Sequence, residues 1–388
     1  MKRKFNLSDD DYKLIERSTL SKVIDFIDKT DVIKTPILLF DAEKMIRNAK
    51  LIGSGIERAQ VYYAVKANDN IDILEKLSKI DLGFEIASDG ELAKLEKLNV
   101  EGLRIITSNP VKTPLFIEKA YEYGVKYFAF DSEAEIDKLV KYAPKCSVYV
   151  RLIVPNEGSE WPLSKKFGVE VDDALSLLIK AKKAGLNPIG MTFHVGSQCT
   201  NINNWESALN KAGILWAKAV EAGINMRCLN IGGGYPIVYT KSVVHIENIE
   251  ARINTLIKRL FPNDIDIYME PGRAMVGDAG VFVTSIIGHA QRSGNAWCYI
   301  DVGVFNGLME SVGGIKYSYI AQGHERDGQF SSWTLTGPSC DSFDVIDKDV
   351  KLKEPQVGDL ILILSAGAYT LPYASEFNGF KIPQVVFV

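Results

Sequence analysis

Val61-Tyr62-Tyr63-Ala64-Val65-Lys66-Ala67-Asn68 is the stretch that decides the fold. Five apolar or aromatic residues run into one lysine, and Asn68-Asp69-Asn70 breaks the run. The run is short, β-branched and aromatic, and turn formers bound it, so it predicts a buried strand. Lys66 stands at its exit. A lysine at the end of a buried strand either snorkels to water or serves a site, and the stretch alone favours snorkelling.

Outward from this stretch the pattern repeats. Further strands are expected at Phe84–Ile86, Arg104–Ile106, Tyr127–Phe130, Val148–Leu152, Ile189–Phe193, Cys228–Ile231 and Ile265–Met269. Helix-period segments separate most of them, as at Ile71–Ile80, Leu115–Tyr123, Ala174–Ala184 and Trp205–Ala222. Strands alternating with helices in this way predict an α/β chain with an N-terminal (β/α)8 TIM-like barrel; a doubly wound open sheet is the competing fold. Thr35–Asp41 reads as a strand that ends in a helix cap, and the helix pattern from Ala42 to Ile52 would begin the barrel. After Glu270-Pro271-Gly272-Arg273 the helical period fades into short strand-like runs, among them Val281–Ile287, Ile315–Ile320 and Leu360–Leu364. These predict a C-terminal all-β domain of sandwich or barrel type. The expected division is a cofactor-binding barrel at 36–272, with 1–35 and 273–388 forming the β domain.

Composition narrows the function. With 388 residues the chain is long enough for two domains. A formal net charge of −4 gives no reason to expect nucleic acid or a membrane surface as partner. No apolar run reaches a membrane span. Basic Met1-Lys2-Arg3-Lys4 is followed by Ser8-Asp9-Asp10-Asp11 and no apolar segment, which argues for a cytoplasmic protein. The five scattered cysteines lack CxxC spacing and fit free thiols, so neither a disulfide framework nor a metal site is expected.

In a (β/α)8 barrel the chemistry collects at the carboxyl ends of the strands. Those positions here are Lys66, Ala87-Ser88, Asn109, Asp131, Arg151, His194, Gly232-Gly233-Gly234, and Glu270 with Arg273. Each has an ordinary structural explanation: a plain turn for the glycines, a satisfied core histidine, an ion pair between Glu270 and Arg273. Together they have one economical chemical explanation. A lysine amine forms a Schiff base with an aldehyde. Consecutive glycines let N–H groups approach a phosphate, with an arginine beside them. A carboxylate keeps a pyridine nitrogen protonated, and an imidazole stacks on a flat ring. These are the needs of pyridoxal 5′-phosphate.

At these residues the chain resembles a known family. Tyr63–Asn68, Phe193-His194-Val195-Gly196-Ser197, Ile231–Pro236 and Glu270-Pro271-Gly272-Arg273 resemble the fold-type III, alanine-racemase-like pyridoxal-phosphate decarboxylases. Gly337-Pro338-Ser339-Cys340-Asp341-Ser342, Gly367-Ala368-Tyr369-Thr370 and Glu376-Phe377-Asn378-Gly379-Phe380 are similar to the ornithine decarboxylases, and Trp161–Gly168 to their shorter bacterial members. The resemblance implies that Lys66 carries the cofactor aldehyde, with Arg151 and Glu91 near it. It implies that Glu270 pairs with the ring nitrogen and that His194 stacks on the ring. Ser197, Gly232, Gly233, Gly234, Arg273 and Tyr369 would hold the phosphate. It also implies a homodimer with shared active sites, in which Cys340 and Asp341 enter from the neighbouring subunit. Cys340 would protonate the α-carbon and Asp341 would hold the distal amine of a diamino acid, which a carboxylate selects by a charge-assisted hydrogen bond. Phe377 would line the substrate, and Lys166 and Asp344 would bridge the subunits.

The chain departs from the animal pattern in two places. Glu85 stands where an aspartate is usual, and Ser311-Val312-Gly313-Gly314 replaces the second substrate aspartate, leaving Glu310 as the best substitute carboxylate. The expected reaction is decarboxylation of L-ornithine to putrescine for polyamine synthesis. Lysine, arginine, diaminobutyrate or a specialised amino acid are alternatives in the same chemistry, because one methylene is worth only about 1–3 kcal/mol in a pocket. Diaminopimelate fits less well, since its distal carboxylate would want an arginine and none is close to Glu310 along the sequence. An inactive regulator-binding homologue and an amino-acid racemase are the rivals from other classes; Lys66 and Cys340 argue against the first, and Cys340 beside Asp341 fits decarboxylation better than the second.

Overall fold

The structure, a computed structural model, describes residues 5, 7–161, 166–323 and 326–388. Met1–Lys4, and Pro162 to Lys165 of the Trp161–Gly168 motif, lie outside the described residues. The chain divides into two compact units: one of Ala49–Pro236 and Val244–Gly272, the other of Met1–Asn48, Ile237–Val243 and Arg273–Val388.

The first unit is a closed, wholly parallel barrel of eight strands. They are β1 (Ala59–Ala64), β2 (Gly83–Glu85), β3 (Ile105–Thr107), β4 (Tyr127–Phe130), β5 (Ser147–Arg151), β6 (Asn187–Thr192), β7 (Cys228–Asn230) and β8 (Asp266–Met269). Pairing of Ile267 with Ala59 and of Met269 with Val61 joins β8 to β1 and closes the ring. Parallel neighbours need long crossovers, and helices supply them. Four successive strand exits deliver a side chain that caps the following helix. Asn70 accepts the N–H of Asp72 before Ile71–Ser78, and Ser88 that of Glu91 before Asp89–Lys97. Thr113 accepts the N–H of Phe116 before Pro114–Glu122, and Ser132 that of Glu135 before Glu133–Tyr142. Caps of this kind satisfy N–H groups that a helix start leaves orphaned, so each connection turns at once and its polar residues stay at the barrel's carboxyl-end rim.

The second unit is built on an eight-stranded sheet. Its main path runs Tyr319–Ala321, Leu360–Ile363, Gly280–Arg292, Asn295–Ile300, Ser331–Thr336, Val345–Leu352. The helix Arg17–Lys29 contributes Leu20, Val23 and Ile27 to a core with Leu39, Val281, Val283, Ile320 and Leu362. Two sequence expectations are corrected here. Ile37–Phe40, expected at the head of the barrel unit, pairs antiparallel with Gly280–Arg292 and parallel with Gln384–Phe387. The division between units falls inside the helix Ala42–Leu51, not at residue 36. A short run buried on both faces reads the same in either sheet, and only the pairing separates them. Val345–Leu352 was not anticipated as a strand, because aspartates and lysines occupy its outward positions. Among the described residues no helix is long and apolar enough to cross a membrane.

One buried ion cluster staples the barrel wall. Lys112, with a fully buried side chain, lies 3.0 Å from Glu135 Oε1 and donates to the carbonyls of Asn109 (2.9 Å) and Ala129 (2.6 Å). Lys138 holds Glu135 Oε2 at 2.6 Å. Removing one partner of such a pair strands a buried charge. Glu135→Ala is expected to destabilise the protein by about 3–5 kcal/mol, read from the urea midpoint. The double variant Lys112→Met, Glu135→Leu is expected to regain most of that loss, because it removes both charges together.

Candidate active site

The barrel's strand exits bring two buried carboxylates to one end. Glu85 ends β2 and is 2% exposed; Glu270 follows β8 and is 7% exposed. Lys66 lies in the single 3-10 turn Val65–Ala67 after β1. Its side chain is 43% exposed and its Nζ is 3.5 Å from Glu85 Oε2. The strand thus ends before the lysine, and the amine stands in the open mouth instead of snorkelling from a buried position. The N–H of Ala64 donates to the carbonyl of Pro271 at 3.0 Å, tying the β1 exit to the β8 exit.

Each carboxylate has its own set of donors. Ser108, just after β3, gives its N–H to Glu85 Oε1 at 3.3 Å and its hydroxyl to Glu270 Oε1. Asn230 Nδ2, at the end of β7, lies 2.5 Å from Glu270 Oε1. Burial first, and the negative charge of Glu85 second, raise the Glu270 carboxyl to about 7 against these donors. An acid in that state is ready to ionise against an arriving cation.

His194 follows β6 and is half-buried. Burial, then the charges of Arg151 and Lys66, hold its imidazole well below the usual range, so it is neutral. Its Nδ1 accepts the N–H of Gly196 at 3.0 Å, which assigns the ring proton to Nε2. Arg151, last of β5, is attracted to Glu270, Asp131 and Glu85. Asp131 itself accepts the N–H of Gly168 at 2.8 Å. Glu91 is partly a cap: its Oε2 accepts the N–H of Ala87 at 2.6 Å while Ser88 caps its own N–H.

The glycine run after β7 is required by close backbone approach. Gly232 and Gly234 have φ of +65° and +102°. A Cβ on Gly232 would strike the carbonyl of Phe193, on Gly233 that of Glu270, and on Gly234 that of Gly196. The carbonyl of Gly232 accepts the N–H of Glu270 and that of Gly234 the N–H of Cys199, in the strand that begins at Ser197. The N–H groups of Gly233 and Gly234 have no intramolecular acceptor among the described residues. Such a turn suits a phosphate. An exposed amine, a carboxylate without a full cationic partner, a neutral imidazole and this turn together fit pyridoxal phosphate. Lys66, Glu270, His194, Gly232–Gly234 and Ser197 would hold it.

The second unit holds the remaining expected residues in two groups. In the first, Arg273 forms a bidentate pair with Glu310, both contacts at 2.7 Å, and donates to the Tyr239 hydroxyl at 2.5 Å. Its guanidinium lies 4.6 Å from the Tyr369 ring centroid. Both Glu310 oxygens meet Arg273 in the single chain, and the residue is 1% exposed. In the second group Cys340 and Asp341 are exposed. Asn378 Oδ1 accepts the N–H of Cys340 at 3.1 Å, and Phe305 joins Phe377 and Phe343 at centroid distances of 4.6 and 6.2 Å. Asp344 is 1% exposed and accepts the N–H of Val304 at 2.8 Å and of Ser339 at 3.0 Å. Lys166 is exposed, 4.9 Å from the Phe167 ring.

The sequence reading missed Ser108, Asn230 and Tyr149, and noted Glu85 only as a departure. Ser108 escaped by one residue, since β3 ends one residue later than expected and Asn109 was taken as the exit.

Glu91 gives a test with a definite sign. Burial raises its carboxyl from 4.5 to about 7. A carboxyl raised in the folded state contributes stability below its unfolded value and loses that contribution as pH rises through about 7. Glu91→Gln keeps an oxygen for the Ala87 N–H and removes the charge. It is therefore expected to raise the Tm of cofactor-free protein at pH 8 and leave it nearly unchanged at pH 5, in paired thermal scans.

Comparison with known proteins agrees with this site. The family profile described as pyridoxal-dependent decarboxylase, pyridoxal binding domain, matches residues 42–277. A lysine/ornithine decarboxylase of Selenomonas ruminantium is 38% identical over 360 residues, covering 92% of this chain and 90% of that protein. SrLDC, solved in complex with pyridoxal phosphate and cadaverine, is 36% identical with a TM-score of 0.84, covering 100% of this chain and 95% of that one. A lysine/ornithine decarboxylase of Vibrio vulnificus, solved with putrescine, is 28% identical with a TM-score of 0.86, covering 96% and 99%. This chain belongs to the fold-type III, pyridoxal-phosphate-dependent decarboxylases of basic amino acids.

Proposed function

We propose that the chain converts L-ornithine to putrescine and carbon dioxide, and L-lysine to cadaverine as its second reaction. The observation that carries the reading is the Lys66 amine, exposed and 3.5 Å from a buried carboxylate at the mouth of a barrel. Its relatives support the substrate class, since those named above act on lysine or ornithine by name.

When bound, pyridoxal phosphate supplies an electron sink for the pair left on the α-carbon as carbon dioxide departs. The chain's residues do the rest. Lys66 would hold the aldehyde carbon through its amine. Glu270 would pair with the ring nitrogen and favour its protonated form. His194, neutral, would face the ring without competing for its positive charge. Gly233 and Gly234 would give N–H groups to the phosphate. Cys340 returns one proton to the α-carbon, so the amine leaves with that proton in place of the carboxylate. Asp341 draws in the distal ammonium. Cys340 and Asp341 are exposed on the single chain, which suits their proposed service to the neighbouring subunit of a cytoplasmic homodimer.

The test is amine product formed with added cofactor from ornithine, lysine, arginine and diaminobutyrate, compared as kcat/KM. Ornithine is expected to lead, with lysine within about a hundredfold, the range that one methylene allows. A lead for arginine or diaminobutyrate would overturn the substrate reading, and racemised ornithine without amine would overturn the reaction. Lys66→Ala is expected to abolish product. Borohydride treatment of wild type with cofactor is expected to add the cofactor's mass to the peptide that contains Lys66.

A further inference from the structure

Behind Glu270 lies a chain of hydrogen bonds whose direction is fixed by the backbone. The N–H of Gly232 can only donate, and it does so to Asn230 Oδ1 at 2.9 Å. That turns Asn230 Nδ2 toward Glu270 Oε1, 2.5 Å away, and toward Ser108 Oγ, 3.4 Å away. Ser108 has one hydroxyl proton, and Glu270 Oε1 takes it. The lone pairs of Ser108 Oγ then face two donors, Asn230 Nδ2 and the Tyr149 hydroxyl at 2.7 Å. Tyr149 is fully buried, and its one proton lies between Ser108 Oγ and the more distant Thr107 carbonyl at 3.2 Å. With Ser108 and Asn230 donating to it, the polarity of the set runs toward Glu270 Oε1. Glu270 Oε2 receives no hydrogen bond among the described residues.

We propose that Ser108, Asn230 and Tyr149 are positioning residues that lock Glu270 Oε1 and leave Oε2 to pair with a protonated heteroaromatic nitrogen. The proposal rests on Glu270 being the partner of the cofactor's ring nitrogen. The donors favour the ionised carboxylate, and they fix which oxygen is presented. A buried chain of this kind strengthens along its length. Ser108 also gives its N–H to Glu85, so one residue sets the spacing of both carboxylates.

The experiment compares binding of pyridoxal phosphate with binding of its 1-deaza analogue, in which carbon replaces the ring nitrogen. Dissociation constants are measured by equilibrium ultrafiltration on wild type, Glu270→Gln, Ser108→Ala, Ser108→Thr and Tyr149→Phe. Wild type is expected to prefer the natural cofactor, and Glu270→Gln to lose that preference. Ser108→Ala is expected to reduce the preference about tenfold, as loss of a hydrogen bond to a charged group does. Tyr149→Phe should reduce it about threefold, while Ser108→Thr retains it. Equal weakening of both ligands in Ser108→Ala would reveal general damage and overturn the proposal, as would an unchanged preference. If Ser108→Ala does not fold, Tyr149→Phe decides by the same ratio. A wild type and Glu270→Gln of equal preference would overturn the role given to Glu270, and the positioning set with it. A preference that depends on Glu270 but not on Ser108 or Tyr149 would overturn the positioning set alone.

Discussion

Two carboxylates of like charge, buried within one barrel mouth, are the constraint on which the site depends. Burial first, and the charge of Glu85 second, raise the cost of ionising Glu270. Left alone they would be a defect. Lys66 at 3.5 Å compensates one of them, and Arg151 adds charge from β5. Among the described residues the side chains that donate to Glu270 are the neutral Ser108 and Asn230. A ring nitrogen arriving protonated would bring the positive charge that these donors lack.

The chain contains the closed kind too, and the contrast is instructive. Arg273 and Glu310 meet through two contacts, and a tyrosine hydroxyl takes a further N–H. Lys112 and Glu135 are buried with backbone carbonyls filling the remaining donors. In both clusters each charge has a counter-charge beside it. Sorting charged residues by whether their hydrogen-bond capacity is filled separates scaffold from site better than sorting them by burial alone.

Much of this was legible in the sequence because barrel geometry is periodic. Strand bodies had to be apolar and strand exits had to be polar, so Lys66, Arg151, His194, Gly232–Gly234 and Glu270 could be located before their contacts were known. What escaped depended on distances in the fold and not on spacing along the chain. Ser108 and Asn230 are ordinary strand-end residues until Glu270 is placed between them. Nor did spacing show that Arg273 meets Glu310, or that Asp344 accepts the N–H groups of Val304 and Ser339. Ile37–Phe40 carried no mark of the sheet it would join, since its partners lie at the far end of the chain.

Cys340 and Asp341 present the opposite case. No periodicity points to them, and on the single chain they are exposed, in a turn that Asp341 stabilises by accepting the N–H of Phe343 at 2.8 Å. Phe343 and Phe377 beside them are 52% and 39% exposed. Phe305 packs against both rings, so the aromatic pair has a place in its own unit, whereas the thiol and the carboxylate stand exposed. A thiol and a carboxylate in a turn leave no period along the chain, and that is why resemblance, and not composition or spacing, brought them into view.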